Sequence, residues 1–152
     1  MLSYEGIFFD EEGENLIFSL EKKHLGLVND KLHCTFKYHP TEKELFNNLV
    51  GEYFDIYLVC YGNDNRNSAF MLTLPEESKE YYINYDTDNR LKVPHITVSL
   101  SEGASANDSK NLDFKELDKP VKVRGRFGYY IKEDDKEYVS FEPYPDYVKK
   151  LY

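Results

Sequence analysis

Two short segments carry residue types that suit phosphoryl chemistry. They are Leu32-His33-Cys34-Thr35-Phe36 and Pro94-His95-Ile96-Thr97-Val98, each His-x-Thr-apolar within a run of strand formers. Side chains alternate faces along a strand, so His33 and Thr35 share one face while Cys34 and Phe36 point the other way. His95 and Thr97 share a face in the same manner, with Ile96 and Val98 behind them. One further step along each face adds Lys37 to the first motif and Ser99 to the second. Cleaving a phosphodiester by in-line attack needs a base on the attacking oxygen and an acid on the leaving oxygen. Two imidazoles with pKa near ~6.5 form such a pair, one neutral and one protonated. The threonine hydroxyls can donate to the non-bridging oxygens, where charge must be stabilised. This scheme calls for no metal and no cofactor.

The remaining motifs are less specific. Cys34 adjoins His33 but faces away from it, so the two form no thiol–imidazole pair, and a buried structural role is expected. His24 and His39 lack partners at metal-ligand spacing, and the two cysteines make no zinc cluster. Asp86-Thr87-Asp88-Asn89-Arg90-Leu91 opens like a calcium loop but has Arg and Leu where a ligand and a glycine are needed. Ser101, Ser109, Lys110 and Asn111 lie in a polar loop after the second motif, where the chain can reach a phosphate or sugar. Tyr4 and Tyr61 are candidates for stacking on a base.

Elements that position these residues can be read from the pattern. Tyr4 to Asp10 reads as a strand. Leu16, Ile17 and Leu20 lie at helical spacing within Glu12 to Lys23. Leu32 to Tyr38 is a strand ended by Pro40. Thr41 and Glu44 make a capping box that predicts a second short helix. Tyr53 to Tyr61 and Ser68 to Leu74 are strands around the Gly62-Asn63-Asp64-Asn65 turn. Glu76 to Arg90 reads as helix or irregular loop. Val93 to Leu100 is a strand, Val121 to Ile131 and Glu137 to Glu142 a hairpin, and Asp146 to Leu151 a last helical turn. The sum is an α+β chain of one domain, residues 1–152.

The paired His-x-Thr-apolar motifs, one in each half of a small α+β chain, resemble those of the two-histidine (2H) phosphoesterase superfamily. Tyr4-x-Gly6-Ile7-Phe8, Tyr61-Gly62-Asn63-Asp64 and the HITVSLSEGASANDSKN segment are similar to the tRNA-ligase-related branch. The resemblance spans residues 4 to 131. It implies two pseudo-symmetric β-rich lobes with the motifs facing across a central groove, with His33, His95, Thr35 and Thr97 as catalytic residues. It also implies a nucleotide 2′,3′-cyclic phosphate, a 2′-5′ linkage or a cyclic oligonucleotide as substrate. A non-catalytic module that sequesters a cyclic nucleotide or RNA end is the alternative. Many relatives carry more positive charge around the groove than this chain does, which puts a polymeric RNA substrate in doubt.

Composition bounds the partners. The net charge is −9, so the overall field repels long nucleic acid, which is held mainly by cations against phosphate. A small nucleotide or a short RNA end is the expected substrate, and duplex DNA is not. No apolar stretch approaches the ~18 residues that span a bilayer, and no basic-then-apolar leader opens the chain. Two cysteines make no disulfide framework. A monomer in a reducing cytoplasm, apart from membranes, is the expectation.

Overall fold

The computed structural model describes residues 1–29, 31–83 and 93–144. Eight strands form one antiparallel sheet: β1 (Leu2–Phe8), β2 (Leu27–Val28), β3 (His33–Tyr38), β4 (Tyr53–Asn63), β5 (Asn67–Thr73), β6 (His95–Leu100), β7 (Lys115–Glu133) and β8 (Lys136–Ser140). Two short helices, α1 (Glu11–Leu20) and α2 (Lys79–Ile83), and three short 3₁₀ segments complete the described chain. The class is α+β and rich in strand. None of the described helices is long and apolar enough to cross a membrane.

The strand order is β2-β6-β5-β4-β7-β1-β3, with β8 alongside β7. The long β7 is the spine: it pairs with β4 through its first half and with β1 and β8 through its second. The two motif strands lie near opposite ends of this order, yet β3 and β6 come against each other without a shared ladder. The sheet is therefore rolled far enough to bring its ends together.

Local chemistry explains the helices. Asp10 caps α1, its Oδ1 accepting from the Gly13 N–H at 2.8 Å, and Glu11, Glu12 and Glu14 complement the positive end of the helix. Ile17 is fully buried, whereas Leu16, also placed on the apolar stripe, is exposed. The capping box at Thr41 forms, but the helix expected behind it stops after one 3₁₀ turn, Glu42–Glu44. The Phe46 N–H, which an α-helix would donate to the Glu42 carbonyl, donates instead to the buried carboxyl of Glu5. This frees Phe46 to enter an aromatic cluster with Phe36, Phe127 and Tyr129 at the centre of the core. Of the Glu76 to Arg90 segment, a 3₁₀ turn and α2 are seen, and residues 84–92 lie outside the described residues. The same holds for the calcium-like stretch at 86–91 and for the last helical turn, 146–151.

Candidate active site

The two motifs are built on one plan. On β3 and its neighbour β1, Phe8 faces His33, Ile7 faces Cys34 and Gly6 faces Thr35, after which the register shifts and Glu5 faces Lys37. On β6 and its neighbour β5, Met71 faces His95, Phe70 faces Ile96 and Ala69 faces Thr97, after which the register shifts and Ser68 faces Ser99. In both ladders the bulge falls at the same step, just past the threonine and its strand neighbour. Each threonine thus sits beside a residue with little or no side chain, Gly6 or Ala69. Gly6 is compulsory, because a Cβ there would come within 2.4 Å of the Cys34 carbonyl oxygen.

Both imidazoles are fixed identically. His33 Nδ1 donates to the carbonyl of Lys31 at 2.9 Å, and His95 Nδ1 donates to the carbonyl of Val93 at 2.7 Å. A carbonyl only accepts, so each neutral ring carries its proton on Nδ1 and leaves the Nε2 lone pair for chemistry. Both rings are half-buried. Burial holds the His33 pKa below its ordinary value. The Lys31 carbonyl opposes this, and the charges of His95 and Lys31 add to it. His95 is lowered in the same way, first by burial, with the Val93 carbonyl opposing and the Lys110 charge adding. Tyr4 stacks on the His33 ring with centroids 4.8 Å apart and on Tyr130 at 4.9 Å.

The threonines are both buried but differently partnered. Thr97 Oγ1 donates to Ser109 Oγ at 2.9 Å, and Ser109 also receives Asn67 Nδ2 at 3.0 Å. Asn67 Nδ2 further donates to the Ser105 carbonyl at 2.7 Å, tying the loop after β6 to β5. Ser109 is fully buried. It holds Thr97 rather than standing open to a ligand.

The bulges change the outer positions. Strand alternation breaks after each threonine, so Lys37 and Ser99 do not simply extend the His–Thr face. Lys37 Nζ meets Glu44 at 3.0 Å. Ser99 is fully buried: its hydroxyl donates to Glu21 at 3.1 Å and accepts the Leu25 N–H, and it contacts Ser68 Oγ at 2.7 Å. Tyr61 is drawn into the same cluster, its hydroxyl donating to Glu21 at 2.5 Å while its ring packs on Phe70. Burial alone would raise the Glu21 carboxyl, but hydrogen bonds from Ser68, Tyr61, His24 and Ser99 outweigh it and hold it below the usual carboxylate range. Tyr4 is largely covered, with both ring faces already in stacks. Ser101 packs against the Arg66 carbonyl at the end of the β4–β5 hairpin. Glu21 and Asn67, which organise these contacts, escaped the sequence reading. Asn67 showed only as a polar residue opening an apolar strand, and Glu21 only as an acid at the end of the first helix.

An α+β fold dominated by one antiparallel sheet is the class that the chain falls in. In it the chain is similar to TT0787 of Thermus thermophilus, a crystal structure that it matches with a TM-score of 0.50 and 12% identity, over 92% of this chain and 94% of that one. At that identity the likeness concerns the fold alone. No family model matches the chain, and no curated protein does.

Proposed function

We propose that this protein is a phosphodiesterase of the two-histidine type, with the two motif strands lining a groove between pseudo-symmetric halves. The observation that carries the reading is the shared arrangement of His33 and His95. Each imidazole is held through Nδ1 by the carbonyl two residues earlier, on strands that come against each other, with a threonine two residues on. When neutral, such a ring offers Nε2 as a base; when protonated, it offers Nε2–H as an acid. In the proposed reaction one imidazole takes the proton from the attacking oxygen as that oxygen bonds to phosphorus. The other gives its Nε2 proton to the leaving ribose oxygen as the second P–O bond breaks. The Thr35 hydroxyl donates to a non-bridging oxygen, where negative charge builds. The substrate class is a nucleotide 2′,3′-cyclic phosphate, a 2′-5′ linkage or a cyclic oligonucleotide, and no step needs a metal.

The test is turnover of adenosine 2′,3′-cyclic phosphate, a 2′-5′-linked diadenylate and a cyclic dinucleotide in excess chelator. His33→Ala and His95→Ala are each expected to lower turnover by about 10²–10⁴-fold. A folded double variant that turns over near the wild-type rate overturns the proposal. Loss of wild-type turnover in chelator, restored by a divalent ion, overturns its mechanism.

A further inference from the structure

Four residues on four adjacent strands stand in one cross-strand row: Tyr53 on β4, Arg126 on β7, Phe8 on β1 and His33 on β3. The pairing is regular at each step, and directly paired residues of an antiparallel sheet project from the same face. Side-chain contacts follow the row. The Arg126 guanidinium lies 4.7 Å from the Tyr53 ring centroid and 4.2 Å from that of Phe141, Phe141 packs edge-on against Phe8, and Phe8 reaches His33. Arg126 Nε is spent on the Gly51 carbonyl at 2.9 Å, which fixes the guanidinium and leaves its outer nitrogens. Arg124, two residues back on the same face and exposed, also lies over the Tyr53 ring, 4.0 Å from its centroid. Among the described residues no carboxylate comes within 4.0 Å of either guanidinium, although Asp55 is the cross-strand partner of Arg124.

The row from the other histidine is different. His95 faces Met71, Met71 faces Cys60 and Cys60 faces Glu116. The two motifs therefore share a plan, but of the two rows only the one from His33 meets an arginine, whereas the one from His95 ends in the carboxylate of Glu116, with Lys110 the cation felt by His95 itself. In a chain of net charge −9, two pre-positioned arginines without ion-pair partners among the described residues are a local attraction for an anion. Two strand spacings separate β7 from β3, about 10 Å. Arg126 is moreover held toward β4, by the Gly51 carbonyl and the Tyr53 ring, on the side away from β3, which suits a neighbouring phosphate of the same substrate rather than the one under attack.

We propose that Arg126 and Arg124, backed by Tyr53, form a subsite for a second phosphate on the His33 side, so that the substrate is an oligonucleotide end rather than a mononucleotide. This rests on the phosphodiesterase reading above for where the reacting phosphate lies. The guanidinium fork suits two phosphate oxygens at once, which a lysine does not match.

The experiment compares kcat/KM for a 5′-labelled pentaribonucleotide ending in a 2′,3′-cyclic phosphate with that for uridine 2′,3′-cyclic phosphate. In a folded Arg124→Gln/Arg126→Gln variant, the ratio of the first to the second is expected to fall at least tenfold. Arg126→Lys, which keeps the charge but loses the fork, is expected to fall between. Lys22→Gln/Lys23→Gln makes the same change of net charge on another exposed surface and is expected to leave the ratio within twofold. An unchanged ratio in the arginine variant, or an equal fall in the lysine control, overturns the subsite. Should the wild type turn over neither probe, the phosphodiesterase reading fails, and binding of the same pentaribonucleotide by fluorescence anisotropy decides the subsite alone. An affinity at least tenfold weaker in the arginine variant, with a shallower salt dependence, upholds it. Absent or equal binding overturns it.

Discussion

Thr97 donates its hydroxyl proton to Ser109 at 2.9 Å, while the Thr35 hydroxyl, at the matching position of the other motif, makes no hydrogen bond among the described residues. Two motifs with matching bulge positions therefore hold their threonine hydroxyls differently. The Thr35 proton is free to donate, whereas the Thr97 proton is engaged by Ser109 and must leave that bond first.

From this asymmetry, Thr35→Val is expected to lower kcat/KM by about 10–100-fold and Thr97→Val by clearly less. Removing the partner should reverse part of the difference. In a Ser109→Ala background the Thr97 proton is released, so Thr97→Val should cost more there than in the wild type. A double-mutant cycle on kcat/KM measures this coupling. Additive effects would mean that the Thr97–Ser109 bond plays no part in turnover.

The pH profile follows from the imidazoles. Burial holds both pKa values below 6.5, so the free protein has one neutral and one protonated ring only on the acid side of neutrality. The bell of kcat/KM against pH is expected to peak below pH ~6.5, because kcat/KM reports the free enzyme. The bell of kcat should lie at higher pH, since a bound anionic phosphate favours the imidazolium. A kcat/KM optimum above pH ~7.5, about one unit past an unperturbed imidazole, would contradict the environments seen for His33 and His95.

How much of this was legible before the structure depends on the range of each interaction. Strand alternation placed His33 with Thr35 and Cys34 behind them, because period two is a property of the strand alone. It failed for Ser99 because the bulge depends on the neighbouring strand, which brings Ser68 opposite Ser99 and buries both. The capping box at Thr41 is local and was readable. The end of its helix was not, since it depends on Glu5, distant in sequence, taking the Phe46 N–H. Tyr4 was legible as an aromatic near the site, but its burial between His33 and Tyr130 needed the order β7-β1-β3. The link between Arg126 and His33 lay further out of reach, as it requires the registers of several pairings at once.

Gly6 offers a test of how the first motif is held. A methyl group there meets the main-chain oxygen of Cys34 at 2.4 Å, and a backbone carbonyl cannot rotate away as a side chain can. Gly6→Ala is expected to destabilise by about 1–3 kcal/mol, or roughly 2–4 °C of Tm for each of those. It should also lower turnover, because the strand that moves carries Thr35 and His33. Gly26→Ala, where a Cβ meets nothing within 4 Å, is the control and should change Tm by much less. Equal Tm values for the two variants would show that β1 and β3 separate without strain.

The last prediction concerns Glu5, the buried acid beside Gly6. Its side chain is fully buried, one oxygen accepts the Phe46 N–H at 3.2 Å, and the other has no partner among the described residues. Burial pushes its pKa up to about 8. The Phe46 N–H opposes that rise, the Glu44 charge adds to it and Lys37 opposes it. The folded protein therefore holds this proton more tightly than the unfolded chain, whose carboxyl titrates near ~4.3. Between those values the native state binds more protons than the unfolded one, so stability falls as pH rises through the window and levels off above pH 8. Glu5→Gln mimics the protonated acid and can still accept from Phe46. The variant is expected to match the wild type near pH ~4 and to gain on it steadily as pH rises, by a few kcal/mol at pH ~8.5, on the order of 1.4 per unit of pKa difference. Chemical denaturation of both proteins at unit pH intervals measures the difference. A constant difference across that range would show that Glu5 is ionised in the native state and that its burial is sustained by a partner other than a proton.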